Sequence, residues 1–242
     1  MINSVLKKDN VFLYSIIIIA VTLVFRKVAT LLLILFLLYV LFNRKHFFTN
    51  KHPNFKKYLA VISIPILLEL FFFFTNDHLK EGYKSFEKNI TTFLLPLVIL
   101  YNYKLIKPEK ILKTYSVITV LLLLIFLIGF IVFRHDDFMK YLSGIHLWEM
   151  GYEFSNFIGI HAPALNMYVS FITVYLLYVF LQEFKQHKLS KISRWYFILF
   201  VISFCFLLII NTRIALFTFL INLMILFFAF EIQTKIKVII FL

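Results

Sequence analysis

Ile209-Ile210-Asn211-Thr212-Arg213-Ile214-Ala215-Leu216 stands between two long apolar runs, Trp195–Ile210 and Ile214–Phe230. An arginine in this setting sits where water gives way to hydrocarbon. At the bilayer centre such a charge costs about 2.5–3.5 kcal/mol on insertion scales, so Arg213 needs an anion or an interfacial position. Two readings meet that need. In one, Arg213 faces a cavity open to the outer side and grips a phosphate. In the other, the segment is a tight hairpin whose guanidinium snorkels to lipid headgroups. Both require membrane helices on either side, and that sets the fold class.

Composition agrees. The chain has 242 residues, is 62% apolar, and carries 32 phenylalanines. Only 15% of its residues are charged, too few to cover a globular surface of this size. Apolar runs of about 17–25 residues recur between short basic clusters, the pattern of a polytopic helical membrane protein. Five glycines and five prolines leave little room for barrels or long loops. Cys205 is the single cysteine and lies inside an apolar run, so there is no disulfide framework. The net charge of +13 reads as topological signal, not as a nucleic-acid footprint.

Val11–Phe42 is apolar except for Arg26 and Lys27. As one helix it would be about 48 Å long, too long for a hydrocarbon core of about 30 Å. The expectation is two spans divided at Arg26-Lys27. Further spans are expected at Tyr58–Thr75, Phe93–Tyr103, Tyr115–Phe133, Ala164–Phe184, Trp195–Ile210 and Ile214–Phe230. The fold class is therefore all-α: a transmembrane helical bundle of about eight spans, read as one domain over residues 1–242. Val238–Leu242 begins a ninth apolar run that stops after five residues, which predicts a fragment of a longer protein.

With the N-terminus inside, the inner segments hold 17 of the 25 Lys and Arg residues and the outer segments hold 8. That is the positive-inside bias. It puts Arg213, the 76–92 loop and the 134–163 loop on the outer side.

The candidates for chemistry are few. Glu69 is the one acid deep in a span, and an intramembrane acid is a functional candidate by default. Pro65 lies one turn before it and frees the carbonyl of residue 61. Lys88 enters the Phe93–Tyr103 span from outside and can meet an anion. In the 134–163 loop, Asp137 is expected to cap an amphipathic helix, with Phe138, Tyr141, Leu142, Ile145 and Trp148 at helical spacing on the outer leaflet. His135, Asp136 and Asp137 are adjacent and cannot all face one ion, so no metal site is read there. Pro163 suits a first helical turn, which sets His161 at a helix mouth on the side of Arg213. Tyr168, seven residues on, points the same way as His161. Imidazole there can donate to phosphate or act as a base. The plainer alternatives are a packing glutamate, an interfacial lysine and a histidine bonded to backbone. The sequence carries no Gly-rich phosphate loop, His-Glu-x-x-His, cysteine pair or serine elbow.

Three stretches together resemble one family. Phe86-Glu87-Lys88-Asn89-Ile90 running into Phe93-Leu94-Leu95-Pro96-Leu97 looks like the entry to a mid-chain span of O-antigen ligase and polymerase proteins. His161-Ala162-Pro163 followed by Met167-Tyr168 resembles the His-Pro/Tyr entry of a later span. Leu207–Leu216 resembles the family's Ser-Arg signature, with Thr212 in the serine's place. The likeness covers roughly residues 60–230.

The resemblance implies a bacterial inner-membrane glycosyltransferase whose active side is periplasmic. The family has a large periplasmic loop after the matched region, carrying further catalytic Arg and His residues, and this chain ends before it. The implied reaction moves a glycan from undecaprenyl pyrophosphate to a hydroxyl acceptor. In ligases the acceptor is a lipid A–core sugar; in polymerases it is another lipid-linked repeat. No cofactor is implied. Arg213 would bind the pyrophosphate, since guanidinium forms bidentate bonds and stays charged. His161 would assist catalysis, and Lys88, Tyr168 and Glu69 would contact phosphate or sugar. A non-enzymatic transporter or flippase of lipid-linked sugars is the competing reading.

Overall fold

The computed structural model describes all residues except 1, 23–24, 49–50, 76–92, 188–189 and 230–242. Among the described residues every regular element is helical. Among the described residues four helices are long and apolar enough to cross a membrane: Phe55–Phe74, Pro108–Phe133, Ala162–Gln186 and Lys191–Ile210. Val28–Phe42 and Arg213–Phe228 are shorter apolar helices. The protein is thus built as a helical membrane protein. The chain divides into two compact units, Met1–Pro108 and Glu109–Leu242.

In the first unit, α1 (Ile2–Thr22) and α2 (Arg26–Phe42) are separate helices packed on each other. The two helices divide just before the expected Arg26-Lys27, which opens α2. Phe12 on α1 meets Phe36 of α2 at 5.3 Å and Phe47 of the short α3 (Arg44–Phe47) at 5.1 Å between ring centroids. His46 Nε2 lies 2.8 Å from the Asp9 carboxylate, so the start of α1 and the end of α2 share one side. α4 (Phe55–Thr75) runs through Pro65 without interruption. α5 covers residues 93–101 and is followed by a short 3-10 turn at Tyr103–Leu105. Its nine described residues rise about 14 Å, and residues 76–92 just before them lie outside the described residues.

The second unit is organised on α9 (Ala162–His187). α10 (Lys191–Ile210) and α11 (Arg213–Ala229) each pack along it, more than on one another. Phe180 meets Phe197 at 5.1 Å, and Asn166 hydrogen-bonds Thr212, so α9 and α10 run antiparallel side by side over most of their length. Ser170, Thr173 and Ser203 are buried. Small side chains let membrane helices approach closely, which hydrocarbon around them would not otherwise drive. Ile125, Ile128 and Val132 on the neighbouring helix, and Phe217, Met224 and Phe228 on α11, are exposed instead. Apolar surface of that extent needs lipid around it.

The helices outrun their apolar runs. α6 (Pro108–Phe133) starts seven residues before the expected Tyr115. Pro108 is pre-set for a first turn, and Glu109 favours the positive end of the helix dipole. Lys113 is therefore helical and lies 3.6 Å from Glu183 of α9. α10 starts at Lys191 because Ser190 caps it, its hydroxyl accepting from the Ser193 amide at 3.1 Å.

The 134–163 loop departs most from expectation. α7 is His135–Leu142, preceded by Arg134, and no side chain caps it. Asp137 instead lies 3.6 Å from Arg134. The helix stops because Gly144 and His146 take positive φ, 84° and 54°. Ile145 and Trp148 thus leave the helix whose spacing they continue. Tyr141 is buried, whereas Leu142 is exposed. A second short helix, α8 (Met150–Ile158), follows and ends on Gly159 at φ 82°. The Ile160 amide bonds the Ser155 carbonyl at 3.0 Å and the Gly159 amide that of Asn156 at 3.0 Å, closing the helix with a left-handed residue.

Candidate functional site

The turn between α10 and α11 is two residues long. Asn211 adopts φ 48° and ψ 51°, and its amide bonds the Leu207 carbonyl at 3.1 Å. Asparagine enters this left-handed region more readily than other side-chain-bearing residues, so it ends α10 abruptly. Thr212 comes next and is buried; its carbonyl accepts from the Leu216 amide at 3.1 Å and starts α11. Arg213 is then the first residue of α11 and is exposed.

A cation in that place opposes the helix dipole. Like charge in a first turn is unfavourable by about 0.3–1 kcal/mol at exposed sites. No carboxylate among the described residues pairs with Arg213. The first amides of α11 also lack intrahelical partners. Guanidinium and free amides together make this helix start attractive to an anion.

The turn is fixed in place by α9. Asn166 Nδ2 donates to Thr212 Oγ1 at 2.9 Å, and both side chains are buried. Hydrogen bonds of this kind between membrane helices contribute about 0.6 kcal/mol on average and up to about 1.7. Asn166 Oδ1 has no partner among the described residues. His161, just before α9, is exposed, and its carbonyl accepts from the Leu165 amide at 3.1 Å. Because Asn166 meets Thr212, the starts of α9 and α11 lie at one end of this unit. His161 and Arg213 are each within a few residues of that bond.

Tyr168 is placed differently. At 3.6 residues per turn it lies about 200° around α9 from Asn166. It is half-buried, and that angle takes it off the face that meets Thr212. Glu69 is half-buried in α4 of the first unit. Lys88 and the motif around it lie outside the described residues, as does Val238–Leu242.

α8 completes this end of the unit. At Gly151 a Cβ would come within 2.5 Å of the Ile209 carbonyl oxygen and 2.6 Å of Ile210 Cα. Glycine is what lets α8 lie directly on the last turn of α10. Phe154 stacks on Phe206 at 5.8 Å and meets Phe130 of α6 at 5.8 Å. Around this core two local pairs form, Arg134 with Asp137 and His146 Nδ1 with Glu149 at 3.2 Å, while Asp136, Lys140 and Glu153 are in no ion pair among the described residues. Arg213 and His161 stand outside those pairs.

No family model, curated protein or solved structure matches this chain. What the end of the second unit can do is therefore argued from its own groups. It offers a guanidinium, an imidazole and uncapped amides, beside an apolar bundle.

Sequence reasoning did not assign Asn166 or Gly151 a part. Asn166 carried a signal, since an amide among apolar residues in a membrane helix needs a partner. Gly151 carried none, because only the approach of α10 makes it necessary.

Proposed function

We propose that this chain is the membrane part of a transferase acting on lipid-linked glycans, of the O-antigen ligase and polymerase kind. The donor is a glycan on undecaprenyl pyrophosphate and the acceptor a sugar hydroxyl, on lipid A–core in the ligase form or on another lipid-linked repeat in the polymerase form. The acceptor oxygen bonds to the anomeric carbon and the carbon–oxygen bond to pyrophosphate breaks. The hydroxyl proton passes to a base, and undecaprenyl pyrophosphate leaves. Arg213 holds that leaving group and offsets its growing charge. His161 contacts the same phosphates or the sugar. In this reading there are about eight spans, the N-terminus is cytosolic, and the Arg213 end is periplasmic in a bacterial inner membrane.

One observation supports it above the others. Arg213 has no carboxylate partner among the described residues at the start of α11, against the helix dipole, and the buried Asn166–Thr212 bond ties its turn to the end of α9 that His161 precedes. A snorkelling arginine needs neither the bond nor the neighbour.

The test is glycan transfer by the full-length protein carrying Arg213→Lys. Lysine keeps the charge but loses the planar fork. Transfer is expected to fall at least about tenfold, the loss of one charge-assisted bond of about 1.5 kcal/mol or more. Membrane insertion should be unaffected. Transfer at the wild-type rate would remove Arg213 from the site.

A further inference from the structure

We propose that the first unit carries a binding face for anionic lipid headgroups, assembled from two basic segments distant in sequence. The segments are 43–57, with Arg44, Lys45, Lys51, Lys56 and Lys57, and 101–107, with Lys104 and Lys107. Neither contains an aspartate or a glutamate.

What brings them together is an aromatic clasp. The His52 amide donates to the Leu100 carbonyl at 3.0 Å, tying the first segment to the end of α5. The His52 ring meets Tyr58 at 5.0 Å and Tyr103 at 4.8 Å, both edge-on. Tyr101 meets Phe48 at 4.9 Å and Phe55 at 4.7 Å. Rings from both segments thus interlock, and the cations are left on the outside. All seven are exposed, and none is in an ion pair among the described residues. The nearby Asp9 carboxylate is engaged by His46. Like charges gathered on two joined segments without counter-charge among the described residues repel one another, so a fixed clasp of this kind favours an anionic occupant.

The occupant is lipid because of what adjoins the cations. Lys57 is followed within two turns of α4 by Tyr58, Val61 and Ile64, all exposed and apolar-bodied. Val28–Phe42 ends in Leu41 and Phe42, also exposed, two residues before Arg44. The charged face is continuous with surface that only acyl chains cover. A phosphate at headgroup depth therefore meets the lysines while its tails lie on α2 and α4. A soluble polyanion would not use that apolar border.

The test is lipid selectivity of the full chain in nanodiscs, where membrane orientation plays no part. Spin-labelled phosphatidylglycerol and phosphatidylcholine are compared for the fraction immobilised at the protein. The wild type should prefer phosphatidylglycerol by roughly threefold or more, and added salt should weaken the preference. Lys51→Gln/Lys56→Gln/Lys57→Gln and Lys104→Gln/Lys107→Gln should each lower it, and the combined variant should bring it near parity. The same five changed to Arg should retain it, which separates loss of charge from loss of fold. Parity in the wild type, or an unchanged preference in the combined Gln variant, would overturn the proposal. So would a preference lost equally in the Arg variant.

Discussion

Replacing Thr212 by valine tests whether the Arg213 turn is held by α9. The two side chains have nearly the same shape, so packing in the buried pocket is kept. What is lost is the acceptor for Asn166 Nδ2, now 2.9 Å away. Asn166 Oδ1 already lacks a partner among the described residues, so the variant leaves both ends of a buried amide unmatched there. A buried donor left without a partner costs about 1–3 kcal/mol. The pairwise share should be smaller, about 0.6–1.7 kcal/mol, the range of bonds between membrane helices. A double-mutant cycle with Asn166→Leu isolates that share. The assay is reversible unfolding in mixed detergent micelles. Thr212→Val should destabilise the protein by more than Thr212→Ser, which keeps the acceptor and loses one buried methyl, and the Thr212–Asn166 pair should couple by roughly three- to twentyfold in the unfolding equilibrium. Strictly additive effects of the two changes would refute the bond between α9 and the turn.

Gly151→Ala should loosen α8 from α10, because the new Cβ would sit 2.5 Å from the Ile209 carbonyl oxygen. Faster hydrogen exchange over 150–158, with α9 unaffected, is the expected result. High pH should act on the same region through Tyr141. Burial, then the carboxylates of Glu153, Asp137 and Glu149, hold its phenol above its ordinary value. The neutral phenol's contribution is full below a pH of about 10 and is lost as pH rises beyond it. Trp148 emission should stay constant from neutral pH to that point and shift only above it. Removing the Lys113–Glu183 pair at 3.6 Å by Lys113→Met should cost at most about 1 kcal/mol, since both groups are partly exposed. Thermal unfolding in detergent measures it.

Hydrocarbon thickness made much of the fold legible. That the first apolar run must divide follows from its length, and the two cations Arg26 and Lys27 mark the place closely, with no glycine or proline there. Element ends were less legible, because basic residues at α6 and α10 stay helical at the membrane surface. The 134–163 loop misled for a specific reason. Ile145 and Trp148 continue the spacing of Phe138 and Tyr141, but the positive φ at Gly144 and His146 ends the helix between them. The turn at 211–213 was found by its charge. Its fixing by Asn166 was not, because 46 residues separate the partners and neither is unusual alone. The His52–Leu100 tie is hidden in the same way, being a backbone bond between segments that read only as basic loops.

The most direct measurement is the affinity of the full-length protein for undecaprenyl pyrophosphate, in wild-type form and with Arg213→Gln. Glutamine keeps polarity and removes the charge. If Arg213 grips the pyrophosphate, the Kd of the variant is weaker by about 10- to 150-fold, the loss of a charged hydrogen-bond donor worth about 1.5–3 kcal/mol. Equal affinity in the two proteins would contradict it and leave Arg213 a residue of the lipid interface.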